Sequence, residues 1–270
     1  MDNHKAWLAG VFDRAAPTYD RIGDAYHTHF AERLIDLAAF DGDASLLDVA
    51  CGRGAVMLAA LERGIDRLTG IDVSPTMIEL AAADLRAAGV TDVDLRVMDA
   101  EDLEFPDARF DALTAAFALF FLPDPARAAA EFQRVLRPGG IVAVSTWGRE
   151  DERWSFENGL LTSAGSPRQR TLQQPFDRAD DVAKLLHAAG FSDLQLHQEA
   201  TEIRFASKQQ WWDWHWSFSV RGLLEQLEPK AVVAYRDACF GEMDALETDG
   251  RYPLELTALI VTGRNEGSQR

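Results

Sequence analysis

The sequence predicts an α/β protein with a mostly parallel sheet and helices on both faces. Short apolar runs alternate with helical stretches between residues 45 and 147. The runs lack the regular polar positions of half-exposed strands, which is typical of parallel strands covered on both sides. In addition, the first run leads through two glycines, Gly52 and Gly54, directly into an apolar helical stretch.

The individual elements follow from periodicity and from helix-end signals. Residues 4–41 are predicted to be helical, because "AYHTHFAERLIDLAAF" repeats its apolar residues at helical spacing. Ser74, Pro75 and Gly89 are suitable residues for the cap, the first turn and the end of a later helix. Apolar runs predict the strands at residues 45–50, 67–73, 93–99, 110–121, 139–147, 192–205 and 255–264.

Charge and cysteine content limit the function classes. The chain has 27 basic and 44 acidic residues, a formal charge of −17. This field repels a phosphate backbone or an anionic membrane, so we expect a small-molecule acceptor, no nucleic acid and no membrane. The two cysteines do not indicate a disulfide framework, and the N-terminus lacks an apolar targeting segment. We expect a cytoplasmic monomer or homodimer.

Three acids stand at the carboxyl ends of the first three strands: Asp48, Asp72 and Asp99. Open α/β sheets bind ligands in the crevice at this edge. The glycines at 52 and 54 allow a ligand to approach the backbone, and the following helix offers free N–H groups. A dinucleotide fold would place a third glycine where this chain has Met57. An NAD(P)-dependent oxidoreductase nevertheless stays an alternative, because Asp72 is also where a ribose-binding acid would lie.

Several motifs in order resemble a known family. They are "FDRAAPTYDRIG", "LLDVACGRG", "GIDVSPTMIELA", "VMDAEDLEFPDARFD" and "FLPDPARAAAEFQRVLRPGG", between Phe12 and Trp147. In these motifs the chain is similar to class I S-adenosylmethionine-dependent methyltransferases, especially the small-molecule branch with the ubiquinone and menaquinone C-methyltransferases. The resemblance implies a Rossmann-like, seven-stranded sheet with an antiparallel last strand. It also implies S-adenosylmethionine as cofactor and S-adenosylhomocysteine as product.

The resemblance also assigns roles to individual residues. Asp72 would hold the ribose hydroxyls, Met77 would pack on the adenine, and Tyr19 would cover the carboxylate of the cofactor. The residues expected to bind the cofactor are Tyr19, Asp48, Ala50, Gly52, Gly54, Asp72, Val73, Met77, Asp99, Ala100, Glu101 and Phe117.

We expect one methyltransferase domain over residues 1–270. Its parts would be an N-terminal helical cap (1–41), a cofactor-binding half (42–147) and two substrate-side inserts (148–177 and 206–254). The second insert separates the last two predicted strands, and a segment of that length usually has structure of its own.

The second insert contains "QQWWDWHWSF", residues 209–218, which has an aromatic face either as a strand or as a helix. Ser207 and Gln210 match a capping box, which favours the helix. The helix is expected to be a lid over the acceptor, although burial of all its rings in the core stays open. The residues expected to contact the acceptor are Tyr26, Phe121, Trp147, Trp211, Trp214 and Phe218. For Phe120 and Phe121 core packing is the favoured interpretation, and an aromatic wall for the acceptor is the alternative.

Three histidines are candidates for proton transfer: His27, His29 and His215. A histidine on a helix is more often simply accommodated by packing. No metal site is expected, because "HTH" lacks a further acidic or cysteine ligand nearby. We expect direct in-line transfer of a methyl group to carbon or oxygen of an aromatic or hydrophobic acceptor. A non-catalytic S-adenosylmethionine-binding protein stays the second alternative.

Overall fold

The computed structural model describes residues 3–165 and 176–267. In these residues one sheet has the strand order β3-β2-β1-β4-β5-β7-β6. The pairs among the first five strands are parallel, and β7 runs antiparallel to both β5 and β6. The predicted sheet with its antiparallel last strand is confirmed. The strands are β1 (Ser45–Val49), β2 (Arg67–Asp72), β3 (Asp94–Val97), β4 (Phe110–Ala116), β5 (Leu136–Trp147), β6 (Phe191–Phe205) and β7 (Tyr252–Asn265).

Helices cover both faces of this sheet. Neighbouring residues of β1 separate into two cores: Leu46 packs with α2 and α3, and Leu47 packs with α5 and α7. Because both faces are buried, the strands need apolar residues at every position. The helices are α1 (Asn3–Ala15), α2 (Tyr26–Ala38), α3 (Ala55–Glu62), α4 (Pro75–Ala87), α5 (Pro125–Val135), α6 (Phe156–Ser163), α7 (Ala179–Ala188), α8 (Lys208–His215), α9 (Arg221–Leu224) and α10 (Pro229–Met243).

Two predicted elements are broken or end early, whereas the other strands differ from prediction by up to three residues at an end. The predicted helix over 4–41 is two helices, α1 and α2, because Pro17 cannot donate a backbone hydrogen bond and Asp20 and Gly23 take positive φ angles. The predicted strand over 110–121 ends at Ala116. Phe117 takes a φ of 51°, and a 3-10 turn follows over Leu119–Phe121. This break turns the chain out of the sheet at the ligand edge.

The substrate-side inserts are helical where they are described. The first contains a 3-10 turn, Glu152–Trp154, and α6, while its residues 166–175 lie outside the described part of the chain. The second contains α8, α9 and α10. The Ser207 side chain accepts the N–H of Gln210, and the Gln210 amide oxygen accepts the N–H of Ala206. This local capping confirms the helix over the strand for the tryptophan stretch.

A third core, rich in aromatic residues, lies between the inserts and the sheet. It joins α2, α6, α8 and α10 to the ends of β6 and β7. None of the described helices combines the length and the apolarity needed to cross a bilayer.

Candidate active site

The turn between β1 and α3 has a conformation that requires glycine. Gly52 and Gly54 have φ angles of 52° and 87°, in a region that side chains rarely adopt. Gly54 is the N-cap of α3. The turn therefore presents backbone N–H groups at the carboxyl edge of the sheet.

Asp72, the last residue of β2, holds this turn in place. One carboxylate oxygen accepts the N–H of Gly52 at 2.9 Å, and the other accepts that of Ser74 at 2.9 Å. Burial raises the pKa of Asp72 to about 6, although both N–H bonds act to lower it. Asp72 also lines a cavity at this edge, so a ligand there meets a carboxylate of fixed orientation.

Asp48 is a buried carboxylate with incomplete hydrogen bonding. One oxygen accepts the hydroxyl proton of Thr114 at 2.8 Å, while the other is buried without a partner. Burial raises the pKa of Asp48 to about 7; the Thr114 bond opposes this shift, and the charge of Asp72 adds to it. Asp48 and Asp72 are buried carboxylates whose charged forms lack a basic partner in the hydrogen bonds described above. They therefore favour a cationic ligand and disfavour a diphosphate. The site therefore fits S-adenosylmethionine better than a dinucleotide.

The cavity beside these acids brings most of the predicted cofactor residues together. Of the remaining three, Asp48 is buried and bonded to Thr114, Gly54 lies where an added side chain would meet Leu85, and Glu101 is buried and accepts the N–H of Asp124. The predicted residues that line the cavity are Tyr19, Ala50, Gly52, Asp72, Val73, Met77, Asp99, Ala100 and Phe117.

Helix α1 forms one wall of this cofactor cavity, which the sequence analysis did not foresee. Lys5, Leu8 and Phe12 of α1 line it. The Lys5 ammonium contacts Asp99 at 2.7 Å and Glu101 at 2.6 Å. Burial acts to lower the pKa of Lys5, but the bonds and charges of the two acids outweigh it and raise the pKa. The ion pairs therefore fasten α1 across the end of the cavity formed by the turn after β3.

Tyr19 is held by a chain of hydrogen bonds. Its hydroxyl lies 3.0 Å from Nε2 of His27, and Nδ1 of His27 lies 3.2 Å from the Asp20 carboxylate. The rings of Tyr19 and His27 also stack, with centroids 4.7 Å apart. Since a carboxylate accepts, Nδ1 of His27 donates to Asp20, and Nε2 accepts the Tyr19 hydroxyl proton.

A larger cavity, of about 660 Å³, lies beside the cofactor cavity. Phe121 lines both, so the two spaces meet at this side chain. The rings of Phe117, in the cofactor cavity, and Trp147, in the larger one, stack with centroids 4.1 Å apart. We call the larger space the acceptor cavity. Its aromatic lining consists of Phe120, Phe121, Trp147, Trp154, Trp214 and Phe218.

Four of the six predicted acceptor residues line the acceptor cavity: Phe121, Trp147, Trp214 and Phe218. The other two lie behind its wall. Trp211 is fully buried and stacks on Trp154 with centroids 5.9 Å apart. Tyr26 is 5% exposed and packs edge-on against Trp214. Helix α8 therefore faces both the core and the cavity.

His215 lines the acceptor cavity through a pair with Glu157 of α6. Nδ1 of His215 donates to the carbonyl of Trp211 at 3.1 Å, and Nε2 lies 3.1 Å from Oε2 of Glu157. The indole N–H of Trp211 donates to Oε1 of Glu157 at 3.3 Å. Both ring nitrogens of His215 are thus engaged within the protein. Sequence analysis missed Glu157, because 58 residues separate it from its partner.

Two further groups, His29 and Cys51, line neither cavity. The His29 ring packs edge-on against Phe30 with centroids 5.3 Å apart. Burial raises the pKa of the Cys51 thiol well above its usual range, and the charges of Asp72 and Asp48 add to this. Cys51 is therefore held as a neutral packing group.

Comparisons with known proteins agree with this geometry. Residues 47–144 match a family described as a methyltransferase domain. The chain is 31% identical to the nocamycin O-methyltransferase of Saccharothrix syringae, over 94% of this chain and 97% of that one. It is 36% identical to the demethylmenaquinone methyltransferase of Lactiplantibacillus plantarum, over 75% of this chain and 96% of the relative.

A solved structure shares the fold. It is phosphoethanolamine N-methyltransferase 2 of Haemonchus contortus, solved with S-adenosylhomocysteine, with a TM-score of 0.60 at 15% identity. The match covers 99% of this chain and 61% of that one. The resemblance predicted from the motifs is confirmed, and the oxidoreductase alternative is not favoured. The chain belongs to the S-adenosylmethionine-dependent methyltransferases that act on small molecules.

Proposed function

We propose that the protein transfers the methyl group of S-adenosylmethionine to a carbon or oxygen atom of an aromatic or hydrophobic acceptor bound in the acceptor cavity. The observation that carries this proposal is the position of Phe121, which lines both cavities. A nucleophile from one side and a sulfonium from the other would meet beside this ring. Holding the two reactants in line is the main requirement for such a displacement.

The cofactor would be held mainly by groups at the strand ends. Asp72 would receive the ribose hydroxyls, Met77 would pack on the adenine, and Asp99 with Ala100 would meet the adenine edge. Asp48 would offset the positive charge of the methionine end. When bound, the cofactor supplies an already activated methyl group and leaves as S-adenosylhomocysteine.

The remaining tasks are exclusion of water and removal of a proton. The stacked rings of Phe117 and Trp147 would keep water from the junction of the cavities. For a hydroxyl acceptor, its proton would pass to the Tyr19 oxygen as the Tyr19 proton moves to Nε2 of His27. Asp20 would then stabilise the imidazolium. An electron-rich aromatic carbon requires no such step before attack.

Calorimetric titration with S-adenosylhomocysteine and NADH, followed by transfer of labelled methyl from S-adenosylmethionine to phenols and quinones, tests the proposal. We expect binding of the homocysteine product, no binding of NADH, and methylation of some members of the panel. The variant Phe121→Trp should fill the junction and abolish transfer while S-adenosylhomocysteine still binds. Unchanged transfer by this variant would overturn the assignment of the junction.

A further inference from the structure

The acceptor cavity carries an excess of negative charge beside its aromatic wall. Two basic or potentially basic residues line it, Arg149 and His215. Six carboxylates line the same space: Glu150, Asp151, Glu152, Glu157, Asp177 and Glu255.

Internal pairing neutralises only part of this excess. Asp151 pairs with Arg153 at 2.5 Å, and Glu152 pairs with Arg149 at 2.8 Å. The Asp151 carboxylate also accepts the backbone N–H of Glu255. These two acids are therefore already compensated inside the protein, and Glu157 also has an internal partner, since Nε2 of His215 contacts its carboxylate at 3.1 Å.

Three other carboxylates have no ion-pair partner in the described residues: Glu150, Asp177 and Glu255. Glu150 accepts only the amide N–H of Asn158. All three are exposed at the rim, so each acts weakly on its own and is screened by salt. Together they lower the local concentration of anions and raise that of cations at the entrance.

Glu157 is less exposed than the three rim carboxylates. Its side chain is 23% exposed, against 2% for His215. One oxygen accepts the Trp211 N–H and the other contacts His215, and these two bonds fix the carboxylate between α6 and α8. A carboxylate offers about four lone-pair positions, so acceptor capacity is left on the cavity side.

Tryptophan rings complete the surroundings of this carboxylate. Trp147, Trp154 and Trp214 line the same cavity, and the face of an indole ring attracts a cation. A fixed carboxylate beside aromatic faces suits an ammonium group and repels a carboxylate group.

On the basis of the proposed function, we propose that the acceptor carries a protonated amine on its aromatic or apolar body, and that Glu157 receives this amine. The amine serves recognition, and methyl transfer takes place at carbon or oxygen elsewhere on the acceptor. His215 is a positioning residue that holds Glu157. The rim carboxylates steer the cation toward the cavity.

Three probes of similar shape test the charge preference. They are tyramine, 4-propylphenol and 3-(4-hydroxyphenyl)propanoate, which carry an ammonium, a methyl and a carboxylate group on closely similar bodies. Each is titrated calorimetrically into protein saturated with S-adenosylhomocysteine. We expect tyramine to bind about tenfold more tightly than 4-propylphenol and the propanoate to bind most weakly, with the difference shrinking in high salt.

The variant Glu157→Gln tests the assignment of the receiving group. Glutamine can still accept from Trp211 and donate its amide N–H to Nε2 of His215, so the helices stay joined. Tyramine affinity should fall about tenfold, while that of 4-propylphenol stays within about twofold. The control Glu79→Gln removes an exposed acid on α4, which lines neither cavity, and should change nothing.

Two results would overturn the inference: equal or tighter binding of the methyl or carboxylate probe, or absence of tyramine binding, in the wild-type protein. An equal loss of affinity for tyramine and 4-propylphenol in Glu157→Gln would mean that Glu157 only holds α6 against α8. Binding of S-adenosylhomocysteine and methyl transfer to the phenol and quinone panel are measured separately. Failure of either measurement would count against the proposed function. If both succeed but 4-propylphenol or the propanoate binds more tightly than tyramine, the result counts against the amine inference alone.

Discussion

The cofactor cavity and the acceptor cavity meet at one phenylalanine but are built differently. The cofactor cavity takes most of its lining from the turns after β1, β2, β3 and β4, at the carboxyl edge of the sheet. The acceptor cavity takes most of its lining from residues 147–158, 214–220 and 254–257, which are far apart in the sequence. The first site depends on local turns, whereas the second exists only after the inserts pack on the sheet.

This difference predicts how the two sites respond to substitution. The acids of the cofactor cavity also hold the turns that form it, so changes there should remove cofactor binding and leave the acceptor wall intact. Substitutions on α8 should weaken binding of the acceptor and leave binding of the cofactor intact. Variants that affect both ligands equally would break the distinction.

The largest expected effect is that of Asp72→Ala. It removes the proposed ribose anchor and leaves the N–H groups of Gly52 and Ser74 without their partner. Hydrogen bonds to a charged group contribute about 1.5–3 kcal/mol, so loss of the ribose anchor should lower the affinity for S-adenosylhomocysteine about 100-fold by calorimetry, and the unpaired N–H groups should lower thermal stability. Asp94→Asn, at the exposed start of β3, is the control and should bind normally. Retained affinity in Asp72→Ala would show that the carboxylate shapes the turn without contributing to binding.

A smaller effect is expected from the acceptor side. Trp214 lines the acceptor cavity and Trp212 of the same helix does not. Trp214→Phe should lower kcat/KM for the best acceptor of the panel about tenfold through lost apolar contact, without changing the affinity for S-adenosylhomocysteine. Trp212→Phe should lower thermal stability and leave kcat/KM unchanged. Equal kinetic losses would mean that α8 acts on the acceptor only as part of the core.

The same contrast explains what the sequence made predictable. Nine of the twelve predicted cofactor residues line their cavity, because a strand, a turn and a helix start lie within a few consecutive residues. Lys5 and Glu157 were missed because each reaches its partners across long stretches of chain. The capping pair at Ser207 and Gln210 predicted α8, but periodicity did not distinguish the faces of Trp211 and Trp214. The packing of α6 against α8 determines that Trp211 faces the core and Trp214 faces the cavity.

A pH dependence sharpens the comparison. Among the described residues, the acids with strongly raised pKa values lie at the cofactor cavity: Asp72, with a pKa of about 6, lines it, and Asp48, with a pKa of about 7, is buried in the adjoining strand β1. Their folded pKa values exceed those of the unfolded chain. The resulting stability is present below about pH 4 and is lost as the pH rises to about 7. A cationic cofactor favours the ionised forms, so affinity for S-adenosylmethionine should rise about fivefold between pH 6 and 7.

Asp48→Asn separates the contribution of this residue from that of Asp72. It should weaken binding at pH 7 and flatten the rise in affinity above pH 6. The unliganded variant should also lose less stability between pH 4 and 7 than the wild type does, as measured by thermal unfolding. An unchanged affinity profile would mean that Asp48 does not feel the charge of the cofactor.

The smallest effect concerns His27, which supports Tyr19. His27 stacks on Tyr19 and packs edge-on against both Phe117 and Trp147. His27→Gln keeps a hydrogen-bonding group but loses the stacked ring, so affinity for S-adenosylhomocysteine should fall about threefold. His29→Gln is the matched control, because His29 lies on the same helix and lines neither cavity. If both variants weaken binding equally, α2 acts through its packing, and the chain from Asp20 to Tyr19 has no separate role in holding the cofactor.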